Sequence, residues 1–404
     1  MITAMIRVEE AQERVLAEVA AGPAESVPLA ETAGRVLRED VAAAYDAPER
    51  DNSAMDGYAV RAEDVAHAPA TLRVIGEIPA GHPTDARVEP GTAMRIMTGA
   101  YVPDGADTVV QVELTDGGIE HVRIDRALPR GANIRRRGAD MRAGEVVLRA
   151  GTRIGPAELA LLAATQKTRV LVGRRPTVAI FATGDELVAF DAPRAPGQIV
   201  NTNTPLLEAL VRDAGGIPRS LGIVRDSREA TIAALEAALA SDFVLSSGGV
   251  SVGAFDFVKD ALEALGAETK FWRVAMKPGK PVVVSRLRER VVFGLPGNPA
   301  SCFVSFHLFV APALRKAAGE ETRLLPPSIH ARAAAPLKSA GDRRVYVRVR
   351  LVARDGELFA EPLATQGSGA LTSLAGANGL AVVDEGVTRI DAGALVPVVL
   401  VGAL

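Results

Sequence analysis

The chain is poor in several things, and each shortage excludes something. It has one cysteine, Cys302, in 404 residues, so neither an internal disulfide nor a zinc-ribbon cluster can form. Its five histidines (His67, His82, His121, His307 and His330) stand far apart, with no pair at metal-ligand spacing. No sign of charge dominates. Lys plus Arg number 46 against 49 Asp plus Glu, leaving −3, which argues against a protein held on nucleic acid by a global positive field. The most apolar stretch, residues 302–314, runs for about 13 residues and includes His307, too short to span a bilayer. The opening MITAMIRVEEAQERV becomes charged before any apolar run forms, which does not read as a signal peptide. These absences point to a cytoplasmic protein with no membrane and no nucleic-acid partner. What is present is ordinary for a globular chain: 48% hydrophobic and 24% charged residues. The length suggests roughly two to four domains.

No internal repeat or low-complexity segment occurs. Residues 8–21 read as an amphipathic helix. From Ala44 short apolar runs (72–75, 93–97, 108–112, 122–124) alternate with Gly, Pro and Asp, the texture of a small β-rich domain over 45–140. Residues 156–165 read as a helix opening on Pro156. Residues 173–325 change rhythm. Strands at 177–182, 220–224, 242–246, 270–276, 281–287 and 291–294 alternate with helices at 204–213, 226–240 and 255–265 and from Asn298-Pro299 onward. Thr204-Pro205 reads as N-cap and first residue of one helix, and Asp226 with Glu229 as a capping box opening the next. This alternation predicts a mostly parallel, doubly wound sheet, whose ligands bind beyond the carboxyl ends of its strands. After about Leu325 the runs at 328–333, 344–352, 358–362 and 395–401 read as a C-terminal β domain.

The polar and glycine-rich loops follow those strands. In SSGGVSVG (246–253), glycines admit backbone N–H groups close to an anion, and Ser246, Ser247 and Ser251 add hydroxyls; the loop reads as a phosphate cradle or, more plainly, as a flexible turn. Asp185 and Glu186 in TGDEL, Asp226 in VRDS and Asp256 all follow strands of one sheet and could converge on one cleft. Carboxylates beside a phosphate cradle suit Mg²⁺; Asp226 as a helix cap and Asp256 as a first-turn charge are the plainer readings. Lys277 and Lys280 in MKPGKP flank a Pro-Gly turn that could aim two ammonium groups at one anion, or simply be solvated. In LPGNPAS, Asn298 reads either as N-cap ahead of Pro299 or as part of an anion site at a helix start. DNSAMDGYAVR (51–61) reads first as turn chemistry, RIMTGA (95–100) as a strand ending in Thr-Gly, and the arginine-rich 130–144 as either an anionic-ligand surface or a solvated face. Cys302 falls in an apolar helix and reads as a core residue.

Taken in order, DNSAMDGYAVR, RIMTGA, TGDEL, SSGGVSVG with DFVKD, KPGKP and GLPGNPAS resemble the MoeA (molybdopterin molybdenumtransferase) family, to which the C-terminal half of gephyrin also belongs. The resemblance covers essentially the whole chain. It implies an α/β and β multidomain fold: an elongated discontinuous dimerisation domain (1–44 and 141–172), a β-rich tip domain (45–140), a doubly wound molybdopterin-binding α/β domain (173–325) and a C-terminal β-barrel-like domain (326–404). It implies a homodimer whose clefts are built from both subunits. The implied reaction inserts molybdate into adenylylated molybdopterin in a Mg²⁺-dependent step, releasing AMP and molybdenum cofactor. Further implied partners are the upstream adenylyltransferase and downstream molybdoenzymes. Position by position, the implied catalytic residues are Asp56, Thr98, Glu186, Asp226 and Asp256, with Glu186, Asp226 and Asp256 as metal ligands. Pterin and phosphate would meet Ser246, Ser247, Gly248, Gly249, Ser251, Gly253, Pro296, Gly297, Asn298 and Pro299. Molybdate, the second substrate, would meet Lys277, Lys280, an arginine among Arg343, Arg344 and Arg348, of which Arg348 is carried forward, and Ser368 or Ser373, of which Ser368 is carried forward. Departures from the family pattern are Asp342 where Gly is usual, Ala254 in place of an acidic residue, and NTN at 201–203, so Asn201 takes no metal role. Competing readings are a non-catalytic molybdopterin-binding or scaffold member of the same family, and a molybdopterin adenylyltransferase.

Overall fold

The structure is a computed structural model that describes residues 5–250 and 257–403. The chain divides into two compact units. One comprises the chain up to Glu39, Gly151–Gly155 and everything from Arg169 onward; the other comprises Asp40–Ala150 and Pro156–Thr168.

The smaller unit is built on a five-stranded sheet. Its order is Thr108–Gln111, Gly57–Val60, Thr92–Ile96, Ala70–Ile78 and His121–Ile124. All four apolar runs of the sequence lie in these strands, because Tyr58, Val60, Leu72, Ala93, Val110 and Val122 share one buried cluster. Gly57 is obligatory at its sheet position, since a Cβ there would lie 2.0 Å from the Val110 carbonyl oxygen.

The larger unit carries the six-stranded α/β sheet. Its strands are β1 (Thr177–Thr183), β2 (Ile217–Val224), β3 (Phe243–Ser247), β4 (Glu268–Phe271), β5 (Val283–Leu287) and β6 (Arg290–Leu295), in spatial order β2-β1-β3-β6-β5-β4. The first three pairings are parallel and the last two antiparallel. Alternation along β1 and β3 explains the double winding. Val178, Ile180 and Leu245 face a cluster shared with helix α1 (Asn203–Asp213) and the helical segment from Pro299, while Ala179, Phe181 and Val244 face one shared with α2 (Arg228–Ala238) and α3 (Phe257–Ala264). Between β1 and β3 the connections leave in opposite directions, which opens a crevice at the strand ends.

Three local expectations shift. Helix α1 begins at Asn203, and Asn201 Oδ1 accepts the Thr204 N–H at 3.2 Å in place of a Thr204 cap. Helix α2 is capped by Ser227, whose Oγ accepts the Ala230 N–H at 3.2 Å, so Asp226 is not the cap. The single strand expected at 270–276 is two strands in two sheets, β4 and Met276–Lys277. Between them the Ala275 N–H is held by Ile6 O at 2.8 Å.

The last domain forms a closed ring of strands. Arg344–Arg354 pairs with Glu357–Pro362, that with Ser328–Ala333, then Leu395–Leu400 and Gly379–Val383, which pairs back onto Arg344–Arg354. Met276–Lys277 joins this ring in parallel at Arg344 and Val345. Among the described residues no helix is long and apolar enough to cross a membrane.

Candidate active site

Two clefts open at the carboxyl ends of the α/β sheet, and both include Asn298 in their walls. The first, of about 520 Å³, is lined by Thr183, Glu186, Asn203, Ser247, Gly297 and Pro299, with Ile199, Val200 and Leu371 as an apolar lip. β1 and β3 deliver Thr183 and Ser247 in register, since Ala182 pairs with Ser247. Asn203, at the start of α1, donates its Nδ2 to Ser247 Oγ and to Gly297 O, both at 2.7 Å. Thr183 Oγ1 and Asn203 Oδ1 are buried with no hydrogen-bond partner. A buried polar atom left unmatched is costly, and here both sit in the wall of a cavity that a polar ligand could enter.

The glycine turn closes onto this wall. Gly248 and Gly249 take φ +96° and +68°, and a Cβ on them would come within 2.8 Å of Thr183 O and 2.7 Å of Val258 Cγ2 respectively. Both the backbone conformation and the space require glycine. Ser246 is fully buried below the turn, with Oγ unpartnered. Ser251, Gly253 and Asp256 lie outside the described residues, as does Ala254.

Of the carboxylates, Glu186 is exposed on the cleft wall. Asp226 does not line that cleft. Its backbone N–H donates to Asp185 Oδ1 at 3.2 Å and its Oδ2 accepts the Asp185 N–H at 3.2 Å, so the two strand-end loops clasp each other. Among the described residues no group of three or more His, Cys, Asp and Glu side chains could hold a metal ion.

The second cleft, of about 770 Å³, lies between the Lys277–Pro281 turn, Pro296 and the closed ring. Lys277, Lys280, Lys338 and Arg343 line it against one carboxylate, Asp342. Arg343 Nε donates to Asp342 Oδ2 at 2.8 Å; that bond holds the Asp342 carboxyl below its usual range, and the Lys277 charge adds to it. Ser368 lines the same cleft, and its carbonyl accepts the Ala300 N–H at 3.0 Å. Asn298 precedes Pro299, yet its side chain makes no cap hydrogen bond and remains available to both clefts.

Arg348 is not in the cleft wall. It is fully buried beneath the 365–369 loop, where Nε donates to Ser373 Oγ at 2.7 Å and Nη2 to Gly367 O at 3.0 Å and Thr365 O at 3.2 Å, while Nη1 has no partner. Val347 and Val349 point into the ring's apolar core, so Arg348 lies on the opposite face, where the 365–369 loop covers it, and Arg343, just ahead of that strand, reaches the cleft instead. Arg344 is taken up by Asp384 at 2.9 Å and by Glu9. Ser373 is buried and donates to Ala370 O at 2.7 Å, so Ser368 is the serine that faces the cleft. Cys302 is buried, and burial pushes its thiol up to about 12, as expected of a core residue.

In the smaller unit, Asp56 Oδ1 accepts both the backbone N–H and the hydroxyl of Thr98 at 2.7 Å. These two bonds hold the exposed Asp56 carboxyl below its usual range. Thus DNSAMDGY, read at first as a turn, and RIMTGA, read as a strand ending in Thr-Gly, supply a matched carboxylate–threonine pair.

Comparison with known proteins bears on the whole chain. Residues 6–165 match the MoeA N-terminal region (domain I and II), 179–316 a probable molybdopterin binding domain, and 330–401 the MoeA C-terminal region (domain IV). A molybdopterin molybdenumtransferase from a Nostoc species is 43% identical over 89% of this chain and 85% of its own length. The chain belongs to the MoeA family. Its relative from Bacillus subtilis, of the same printed name, is 38% identical over 98% of this chain and 94% of its own. A crystal structure of the molybdopterin biosynthesis MoeA protein from Pyrococcus horikoshii superposes with a TM-score of 0.85 at 31% identity, covering 98% of this MoeA chain and 100% of that one.

The sequence pattern did not single out Thr183 or Asn203, whose unpartnered oxygens mark the first cleft. The NTN triplet was the available signal for Asn203. It carries no motif, because the roles of its three residues differ only through their place at the helix start.

Proposed function

We propose that the chain is a molybdopterin molybdenumtransferase that inserts molybdate into adenylylated molybdopterin and releases AMP. The observation that carries this reading is the pairing of two adjoining clefts of different chemistry in a MoeA chain. One presents hydroxyl and amide groups with a single carboxylate; the other presents four cations. The first suits a phosphoanhydride and the second a tetrahedral dianion.

The first cleft also fits Mg²⁺. Glu186 with the unpartnered oxygens of Thr183 and Asn203 is an all-oxygen donor set, and Mg²⁺ takes one or two carboxylates while drawing its remaining ligands from substrate oxygens and water. Glu186 would hold it from the cleft wall, with Asp256, while Asp226, clasped to Asp185 outside that lining, would fix the loop that carries Glu186. Bound there, the ion would neutralise charge on the anhydride as the P–O bond breaks. The chain's own groups do the rest. Ser247, Gly248 and Gly249 with Pro296, Gly297, Asn298 and Pro299 bind the phosphate and pterin portions and exclude water. Lys277, Lys280 and Ser368 draw molybdate against the dithiolene. Arg348 holds the Ser368 loop, and its unpartnered Nη1 is a donor for an oxyanion that enters beneath that loop. Asp56 and Thr98 act in the cleft of a partner copy of the chain in a homodimer. The working organisation is the four-domain one, with boundaries at 44/45, 140/141, 172/173 and 325/326, in the cytoplasm, between an adenylyltransferase and the molybdoenzymes.

The test is AMP release from adenylylated molybdopterin in Mg²⁺, with and without molybdate. Molybdate-dependent release, with molybdenum retained on the pterin, is the expected result. Tight substrate binding without release would replace the enzyme by a binding protein. ATP consumption with non-adenylylated pterin would move the activity to the preceding step.

A further inference from the structure

Trp272 is the chain's one tryptophan, and neither cleft includes it. It follows β4 and is half-buried, packed on the cluster beneath α2 and α3. Its indole Nε1–H donates to Val250 O at 3.0 Å. The same ring lies 4.7 Å from Lys259 Nζ on α3 and 4.7 Å from Arg273 Cζ. One indole therefore grips the backbone at the exit of the glycine turn and, through Lys259, the helix that follows that turn.

Among the described residues the other hydrogen bonds on the turn are made by backbone alone. Gly248 N–H donates to Leu295 O at 3.0 Å, and Gly249 O accepts Val258 N–H at 3.3 Å. Three successive residues are thus fixed, and among the described residues only Val250 is held by a side-chain hydrogen bond. The Val250 carbonyl is thereby held against rotation at the exit of the turn. A residue that merely filled space would have no use for a donor aimed at this carbonyl. Phe or Leu would fill the site as well.

We infer that Trp272 is a positioning residue that latches the glycine turn in its anion-binding orientation, with the two cations over its faces keeping the indole edge on Val250. The inference rests on the reading that this turn receives the substrate's phosphates. The decisive variant is Trp272→Phe, which keeps a ring between Lys259 and Arg273 and removes the N–H; Trp272→Leu removes both. Two measurements are made on the full chain. In the ligand-free protein, hydrogen exchange of the 246–250 peptide is expected to accelerate about threefold to tenfold in Trp272→Phe, the size of one net hydrogen bond, and further in Trp272→Leu, with β6 unchanged. In turnover, the KM for adenylylated molybdopterin is expected to rise by a similar factor with kcat held. Wild-type exchange and wild-type KM in both variants would overturn the latch. Wild-type protein that releases no AMP would instead overturn the functional reading, and the exchange data would still decide the latch.

Discussion

The two clefts share a wall residue and a sheet, yet they are built on opposite principles. The first is almost uncharged. It is walled by the hydroxyls of Thr183, Thr202 and Ser247 and the amides of Asn201, Asn203 and Asn298, with Glu186 as its one charge. The second carries four cations against Asp342 and is walled by Pro278, Pro281, Pro296, Pro336 and Pro362. Fixed donors read the shape of a ligand at contact distance. Clustered charge draws an anion from further away and is weakened by salt. On the proposed reading, the first cleft would recognise the large organic substrate and the second would capture a small oxyanion.

The comparison can be broken hardest at Glu186. Glu186→Gln should lower molybdate-dependent AMP release by about 10²–10³ with little change in melting temperature, the usual scale for losing one charge-stabilising group. Near-normal release would remove the carboxylate from the first cleft's chemistry. Next in size, Lys277→Met or Lys280→Met should raise the molybdate concentration for half-maximal rate by about 10- to 100-fold while leaving AMP affinity measured by calorimetry unchanged. Equal losses for both ligands would erase the division between the clefts. Asp342→Asn should act in the opposite direction, tightening molybdate binding by about threefold to tenfold at low salt, because it frees Arg343 and removes a like charge. Smallest is a pair at the start of α2. Ser227→Ala should cost about 1 kcal/mol in denaturant unfolding with turnover intact, whereas Asp226→Asn should spare stability and reduce turnover. The reverse pattern would return Asp226 to a capping role.

Much of this was legible in the sequence. The strands β1, β3 and β6 read correctly within a residue or two, because a fully buried parallel strand is an unbroken apolar run. Their loops therefore fell at the proper end of the sheet, which put Glu186, Ser247 and Asn298 there from the sequence alone. What failed to show was anything decided by which of two adjacent residues wins a contact. Asp226 and Ser227 are both good caps, and only the clasp between Asp226 and Asp185 leaves Ser227 to take the role. Arg343 and Arg348 lie five positions apart in one basic run, and only the 365–369 loop folded over the second takes it out of the cleft. The Lys270–Met276 run read as one strand because nothing in its apolar pattern records that its two ends belong to different sheets.

That last division has a practical side. The two residues Met276 and Lys277 are counted by sequence with the α/β domain but are hydrogen-bonded into the C-terminal ring. A truncation at residue 325 would leave this short edge without its neighbour, and the C-terminal segment expressed alone would lack one of its own strands. Anyone dividing the chain for crystallography or NMR should carry the Met276–Pro281 turn with both halves or keep the molecule whole. For the same reason, grafting the last domain from a relative would swap the floor under the lysine pair along with the barrel.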